Sequence, residues 1–198
     1  MPTMLRIFAF IITLTALAQA KQPTPLVASA APVTSAIDLE TGLLWQVGHN
    51  TPIDYLLAPT QLVWRSGSVL HWDFDSGALV VRNRLALQGT AIIEGPETAY
   101  FALAGAPSLE WWDASGAWSA ALAVGGGAGL IDSQDVVGGQ GRDFTLNWFA
   151  RAGVSRQIAE GVHLNAGLMF QHMSNGGATD PNPGIDVLGF TLGCSWSF

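Results

Sequence analysis

From residue 188 to its last residue the chain alternates without a break. Leu188, Phe190, Leu192, Cys194, Trp196 and Phe198 are apolar and mostly large, while Gly189, Thr191, Gly193, Ser195 and Ser197 between them are small. A period of two marks a strand whose two faces meet different surroundings. In a soluble sandwich the large face would be buried in a core. In a narrow barrel the small and polar residues belong inside and the bulky apolar ones face lipid. Composition decides between the two. Hydrophobic residues make up 49% of the chain and charged residues 12%, against roughly a quarter charged in a soluble domain, and the mean hydropathy is +0.32. Yet the longest apolar run that reads as a helix, residues 7–18, is shorter than the roughly 20 residues a spanning helix needs. A helical membrane bundle is excluded, and lipid permits one other backbone solution, a closed β-barrel.

The remaining global features bound the class further. With 198 residues the chain is long enough for one domain, and 8 basic against 15 acidic side chains give a net charge of −7, which argues against a nucleic-acid partner. Arg6 precedes the apolar stretch, which ends in Ala18-Gln19-Ala20, the small-x-small pattern of a signal-peptide cleavage site. Residues 1–20 therefore read as a signal peptide and residues 21–36, rich in Pro, Ala, Thr and Ser, as a flexible lead-in. The single cysteine, Cys194, excludes an intramolecular disulfide framework. No cysteine follows the apolar stretch, so a lipoprotein anchor is not expected.

Residues 37–198 read as eight strands, at about 37–47, 55–74, 78–93, 98–112, 118–131, 143–155, 162–174 and 184–198. Tight connections at 75–77, 113–117 and 157–161 alternate with mostly longer ones, rich in Gly, Pro, Asn and Asp, at 49–53, 94–98, 132–142 and 175–183. That is the rhythm of outer-membrane barrels, with short periplasmic turns and longer outer loops. The ending Gly193-Cys194-Ser195-Trp196-Ser197-Phe198 also resembles the terminal signal of such barrels. The expected fold is all-β, an eight-stranded antiparallel transmembrane β-barrel of the outer membrane. Trp45, Trp64, Trp111, Trp112, Trp148 and Trp196 are read as interfacial girdle residues.

The chemistry concentrates in the hairpin 162–198. On its first strand Val162, Leu164, Ala166, Leu168 and Phe170 form the lipid-facing row, and His172 and Ser174 continue it. Asp186 opens the outward row of the partner strand. A hairpin symmetric about residue 180 sets Ser174 opposite Asp186 with His172 diagonal to it. A register shifted by two sets His172 directly opposite Asp186. Either way a hydroxyl, an imidazole and a carboxylate share one patch. A serine hydroxyl is a weak nucleophile until a base takes its proton, and the base needs an acid to fix its tautomer. Asn175, Gly176, Gly177 and Asn182 are the nearest donors for an oxyanion. The same spacing is met by a polar hairpin rim with a turn-forming Asn-Gly-Gly, as in a structural or adhesive barrel without catalysis.

The segment Phe170-Gln171-His172-Met173-Ser174-Asn175-Gly176-Gly177, followed by Pro181-Asn182-Pro183-Gly184-Ile185-Asp186, resembles the His-x-Ser-Asn and Pro-Asn-x-Gly-Ile-acid segments of the outer-membrane lipid A 3-O-deacylases. The resemblance implies His172 as base, Ser174 as nucleophile and Asp186 as orienting acid, on the outside of an eight-stranded barrel. Family members carry glutamate where this chain has the shorter aspartate. The implied activity is hydrolysis of an ester-linked (hydroxy)acyl chain of lipid A near the outer leaflet, without cofactor. Lipid A or lipopolysaccharide is the implied substrate, and a homodimer is left open.

Other features point elsewhere. His49, His71 and His163 have no metal-ligand spacing, so no metal is expected. His163 falls on the inward parity and reads as a hydrogen-bonding residue of the lumen. Gly125-Gly126-Gly127-Ala128-Gly129 lacks the Lys-Ser/Thr of a phosphate loop and reads as a strand that needs small inward residues. Arg82 and Arg84 are expected to pair with carboxylates in the lumen. A small pore is disfavoured, because so narrow a lumen is filled by side chains.

Overall fold

The computed structural model describes residues 34–48 and 53–198. The expected signal peptide, nearly all of the lead-in and His49 lie outside the described residues. Strands follow in the order β1 (Ala36–Gln46), β2 (Leu56–Arg65), β3 (Leu70–Phe74), β4 (Gly77–Glu94), β5 (Ala99–Asp113), β6 (Trp118–Ile131), β7 (Phe144–Ala159), β8 (Val162–Ser174) and β9 (Ile185–Ser197). Neighbours are antiparallel, β1 pairs with β9, and a β2–β4 pairing closes the sheet. β2 and β3 pair with successive stretches of β4 and so form one interrupted stave. The result is a closed eight-stranded antiparallel barrel.

That interruption falls inside the stretch expected as one strand, 55–74. Between the pairs Arg65↔Arg84 and Leu70↔Val81 the β2–β3 stave carries two residues more than β4, at Ser66-Gly67-Ser68. These residues favour turns over strands. Because the excess is even, residues of the same parity keep facing the same side. Ser66 remains tied to the sheet by Ser66 N–H to Asn83 O at 2.9 Å and by Arg82 Nε–H to Ser66 O at 2.7 Å. The first strand starts at Ala36, within what reads as lead-in, where the Arg82 guanidinium donates to Thr34 O.

The alternation expected from the last strand runs round the whole wall. Outward residues such as Leu87, Phe101, Val124, Phe190 and Leu192 are large, apolar and exposed. A continuous apolar belt of this kind is unstable in water and suits lipid. Inward residues fill the lumen in layers. In the middle, Arg65 pairs with Asp38 at 3.0 Å and Glu110 at 3.1 Å, Arg84 with Glu40 at 3.4 Å, and Arg151 with Glu40 at 2.9 Å. Arg82 adds a contact to Glu110 at 3.5 Å, so Arg82 and Arg84 meet lumen carboxylates as expected. Above this layer Gln88 bonds Gln171 at 3.0 Å and Gln61 at 3.2 Å. Above that sits an apolar plug that includes Leu44, Tyr55, Leu57, Tyr100, Met173, Ile185 and Val187. Trp112, Ala78 and Val80 pack at the other end.

Trp112 corrects one expectation. It is buried in the lumen, donates Nε1–H to Glu110 at 3.2 Å and meets the ring of His163 edge-on at 5.3 Å. Adjacent residues of a strand face opposite sides, so of Trp111 and Trp112 only Trp111 can reach lipid, and it is exposed. Trp45, Trp64, Trp148 and Trp196 are exposed with it. His163 is inward as expected, but neither ring nitrogen has a hydrogen-bond partner among the described residues, so the expected hydrogen bond gives way to the contact with that ring. In β6 the inward glycines fit the expectation of close packing. A Cβ at Gly125 or Gly127 would fall 2.1 Å from Gly105 O or 2.0 Å from Leu103 O.

The two ends of the barrel differ. Connections 75–76, 114–117 and 160–161 lie at one end with Thr34 and Phe198, while the end of β1, the start of β2 and connections 95–98, 132–143 and 175–184 lie at the other. The carboxyl end of β8 and the start of β9 belong to this second end.

Candidate active site

The site is built on one rung of the β8–β9 ladder. His172 pairs directly with Asp186, and Met173 with Ile185 on the next rung. This is the shifted alternative of the two registers, and Ser174 instead lies opposite Leu146 of β7. Met173, Ile185 and Val187 point inward and are fully buried, each burial stabilising by about 1.5–3 kcal/mol. Alternation then obliges His172, Ser174 and Asp186 to project from the outer wall. Packing behind the wall holds the reactive side chains in front of it.

His172 Nδ1 and Asp186 Oδ1 are 2.7 Å apart. Their side chains are partly exposed, at 27% and 16%, so the pair is accessible on the outer wall of the barrel. With Nδ1 engaged by the carboxylate, Nε2 is the nitrogen left for a hydroxyl, and Ser174 stands two residues further along the same face. The indole of Trp148, opposite His172 on β7, stacks on the imidazole with centroids 6.2 Å apart and 30° between planes. It also packs against Phe170 at 4.9 Å. Gly184, at φ +69°, brings bare backbone against the ring, where a Cβ would lie 3.3 Å from His172 Cε1. From the other side the end of β1 approaches, and Val47 N–H donates to Asp186 O at 2.8 Å.

The four expected oxyanion donors separate into two kinds. Asn175 is buried and committed. Its Nδ2 donates to Gln140 O at 2.7 Å, Thr179 O at 3.0 Å and Pro181 O at 3.1 Å, and its N–H donates to Asn182 Oδ1 at 2.9 Å. Its Oδ1 accepts from Ala178 N–H at 3.1 Å. Its side chain organises the hairpin loop and has no donor left for a substrate. Gly176 and Gly177, at φ +69° and +75°, are exposed directly after it, and a Cβ on Gly177 would meet nothing within 4 Å. Asn182 is exposed as well, with Oδ1 engaged by the Asn175 N–H.

A second cluster gives no motif in the sequence. Buried Glu97, in the β4–β5 connection, accepts from Tyr55 Oη–H at 2.8 Å, Ser133 Oγ–H at 2.7 Å and Gln140 N–H at 3.2 Å. Burial, then the hydrogen bond to Glu97 and its charge, push the Tyr55 phenol well above its ordinary value, so it remains a donor. Gln140 in turn accepts from Gly184 N–H through Oε1 at 3.2 Å. Apart from Ser133 and Gln140, which share the β6–β7 connection, these residues lie on separate connections with no period relating them, so only the closed fold brings them together. Nearby, the Arg142 guanidinium lies over the Phe144 ring at 5.4 Å from its centroid. It is the only basic side chain at this end among the described residues.

Comparison with known proteins bears on the fold and the family. No curated protein sequence matches the chain. The solved structure described as the outer membrane enzyme PagL superposes with a TM-score of 0.54 at 16% identity, over 82% of this chain and 99% of that one, which is a likeness of fold. The family model "Lipid A 3-O-deacylase (PagL)" matches residues 53–195, most of the chain, with His172, Ser174 and Asp186 inside the match. The chain belongs to the lipid A 3-O-deacylase (PagL) family of ester hydrolases.

Proposed function

We propose that this chain is an outer-membrane serine esterase that releases an ester-linked (hydroxy)acyl chain from the 3 position of lipid A through Ser174, His172 and Asp186. The observation that carries the reading is the 2.7 Å contact of His172 Nδ1 with Asp186 Oδ1 on the outer wall, with Ser174 next along the same face. Asp186 holds the Nδ1–H tautomer and stabilises the imidazolium that forms. Nε2 takes the Ser174 proton as Oγ attacks the ester carbonyl. The oxyanion is met by the N–H groups of Gly176 and Gly177 and by Asn182 Nδ2. Collapse breaks the bond to the sugar oxygen, which takes the proton back from His172 and leaves the acyl group on Ser174. Water entering from the rim, deprotonated by the same nitrogen, releases the fatty acid and regenerates the serine. The sequence of steps calls on no cofactor.

Topology supports the substrate. With both chain ends periplasmic, the end carrying 175–184 lies at the outer leaflet, where lipid A resides. The acidic rim presents the single cation Arg142 toward an anionic headgroup. The test is mass spectrometry of lipid A from cells making the wild-type barrel or its Ser174→Ala form, with folding verified for both. Loss of one hydroxyacyl chain in the first and not in the second is expected. Unchanged lipid A with folded barrel at the surface would refute the reading.

A further inference from the structure

We infer that Gln140, in the connection between β6 and β7, is a positioning residue that fixes both arms of the catalytic hairpin. This rests on the reading of Ser174, His172 and Asp186 given above. Gln140 is fully buried and lies more than thirty residues before the triad, yet it holds the hairpin at two points. Its carbonyl accepts from Asn175 Nδ2 at 2.7 Å, immediately after the nucleophile. Its Oε1 accepts from Gly184 N–H at 3.2 Å, and Gly184 is the backbone that packs against the His172 ring. One arm of the hairpin leads to Ser174 and the other to Asp186, so a single residue sets the span between nucleophile and acid.

Gln140 is itself fixed from below. Its N–H donates to Glu97 Oε1 at 3.2 Å and to Ser133 Oγ. Glu97 is tied in turn to Tyr55 at 2.8 Å and to Ser133 at 2.7 Å. Tyr55 belongs to the apolar plug of the lumen, so the clamp connects the rigid barrel interior to the two loop ends that bear the site. Gly141 makes the approach close, since a Cβ there would lie 2.7 Å from Pro181 O. The hairpin loop keeps its own ties from Asn175 to Thr179 and Pro181, so it can stay folded while losing its alignment to the barrel.

Catalysis is sensitive to such alignment, a displacement of about 1 Å costing up to about a hundredfold in rate. Gln140→Met preserves length and volume but removes the acceptor for Gly184. The expected result is a fall in kcat of roughly tenfold or more, with KM changed by less than about twofold because substrate contacts are untouched. The apparent thermal midpoint of the detergent-folded barrel should stay near that of wild type. Glu97→Gln, which weakens the acceptor without changing its shape, is expected to give a smaller loss of kcat with the same unchanged KM. Wild-type kcat in a folded Gln140→Met barrel would overturn the inference. So would a fall in kcat and in thermal midpoint together with a rise in KM in both variants, which is the mark of a merely structural residue. A wild-type barrel inactive on lipid A would remove the underlying reading as well, an outcome distinct from either.

Discussion

The barrel uses the same chemical groups in two regions to opposite ends. In the lumen Asp38, Glu40 and Glu110 face Arg65, Arg82, Arg84 and Arg151, all buried and in mutual contact. On the outer wall a carboxylate and an imidazole meet at 2.7 Å, partly exposed, with a hydroxyl next along the same face. Buried charges must be paired, and each lumen carboxylate touches at least one guanidinium, so the layer locks strands β1, β2, β4, β5 and β7 to one another. The outer group leaves one imidazole nitrogen and one hydroxyl uncommitted. The contrast teaches that the charged side chains of the lumen are paired with one another, whereas reactivity requires groups left over. Asn175, polar and adjacent to Ser174, falls on the consumed side because its parity turns it inward.

If the contrast is right, substitutions in one region should spare the other. Ser174→Ala should lower kcat by about 10⁴-fold or more while the urea midpoint of the folded barrel stays at the wild-type value. Asp186→Asn should cost roughly 10²- to 10⁴-fold through the wrong imidazole tautomer, again without loss of stability. Asp186→Glu should retain activity within about tenfold, since the longer acid still reaches Nδ1. Arg65→Met reverses the pattern. It leaves Asp38 and Glu110 with only the 3.5 Å guanidinium contacts of Arg84 and Arg82, and should cost up to about 3–5 kcal/mol in urea unfolding, while kcat of the protein that remains folded changes little.

The smallest effect concerns Asp132 at the loop end. Burial opposes its ionisation, but hydrogen bonds from the Thr98 hydroxyl and from the Ala99 and Thr98 amides hold its carboxyl below the ordinary range. A depressed folded value means stability that is present above the unfolded value and lost as pH falls through the folded one. Asp132→Asn should therefore be slightly less stable than wild type at neutral pH, by under about 1 kcal/mol at this exposed site. The gap should narrow at pH 3, below the ordinary carboxylate value of about 3.9, and close only as pH falls through the lower folded value. An equal gap at both pH values would contradict that assignment.

Much of the barrel was legible because period-two alternation is local. Leu188 to Phe198 can be read without knowing any partner strand, and β6 announces its close packing through Gly125 and Gly127. The break between Arg65 and Leu70 was not legible, since the flanking residues continue the alternation in phase. Trp112 was misread by type, although its adjacency to Trp111 contained the answer. At the site, residue types and face followed from parity, whereas register was open by two residues because Asn-Gly-Gly and the Pro-rich stretch 181–183 allow more than one closure. Gln140 and Glu97 had no local signature at all. Their role arises from long-range contact between connections, which one sequence does not display.

The most direct test of the outer site is labelling of the folded, detergent-solubilised barrel with a long-chain, serine-directed phosphonate, the adduct then located by peptide mass spectrometry. The expected result is a single adduct on Ser174, formed by wild type and by Arg65→Met protein that remains folded, and greatly slowed in Asp186→Asn. An adduct on another residue, or none on a folded wild-type barrel, would contradict the assignment of Ser174 as the nucleophile.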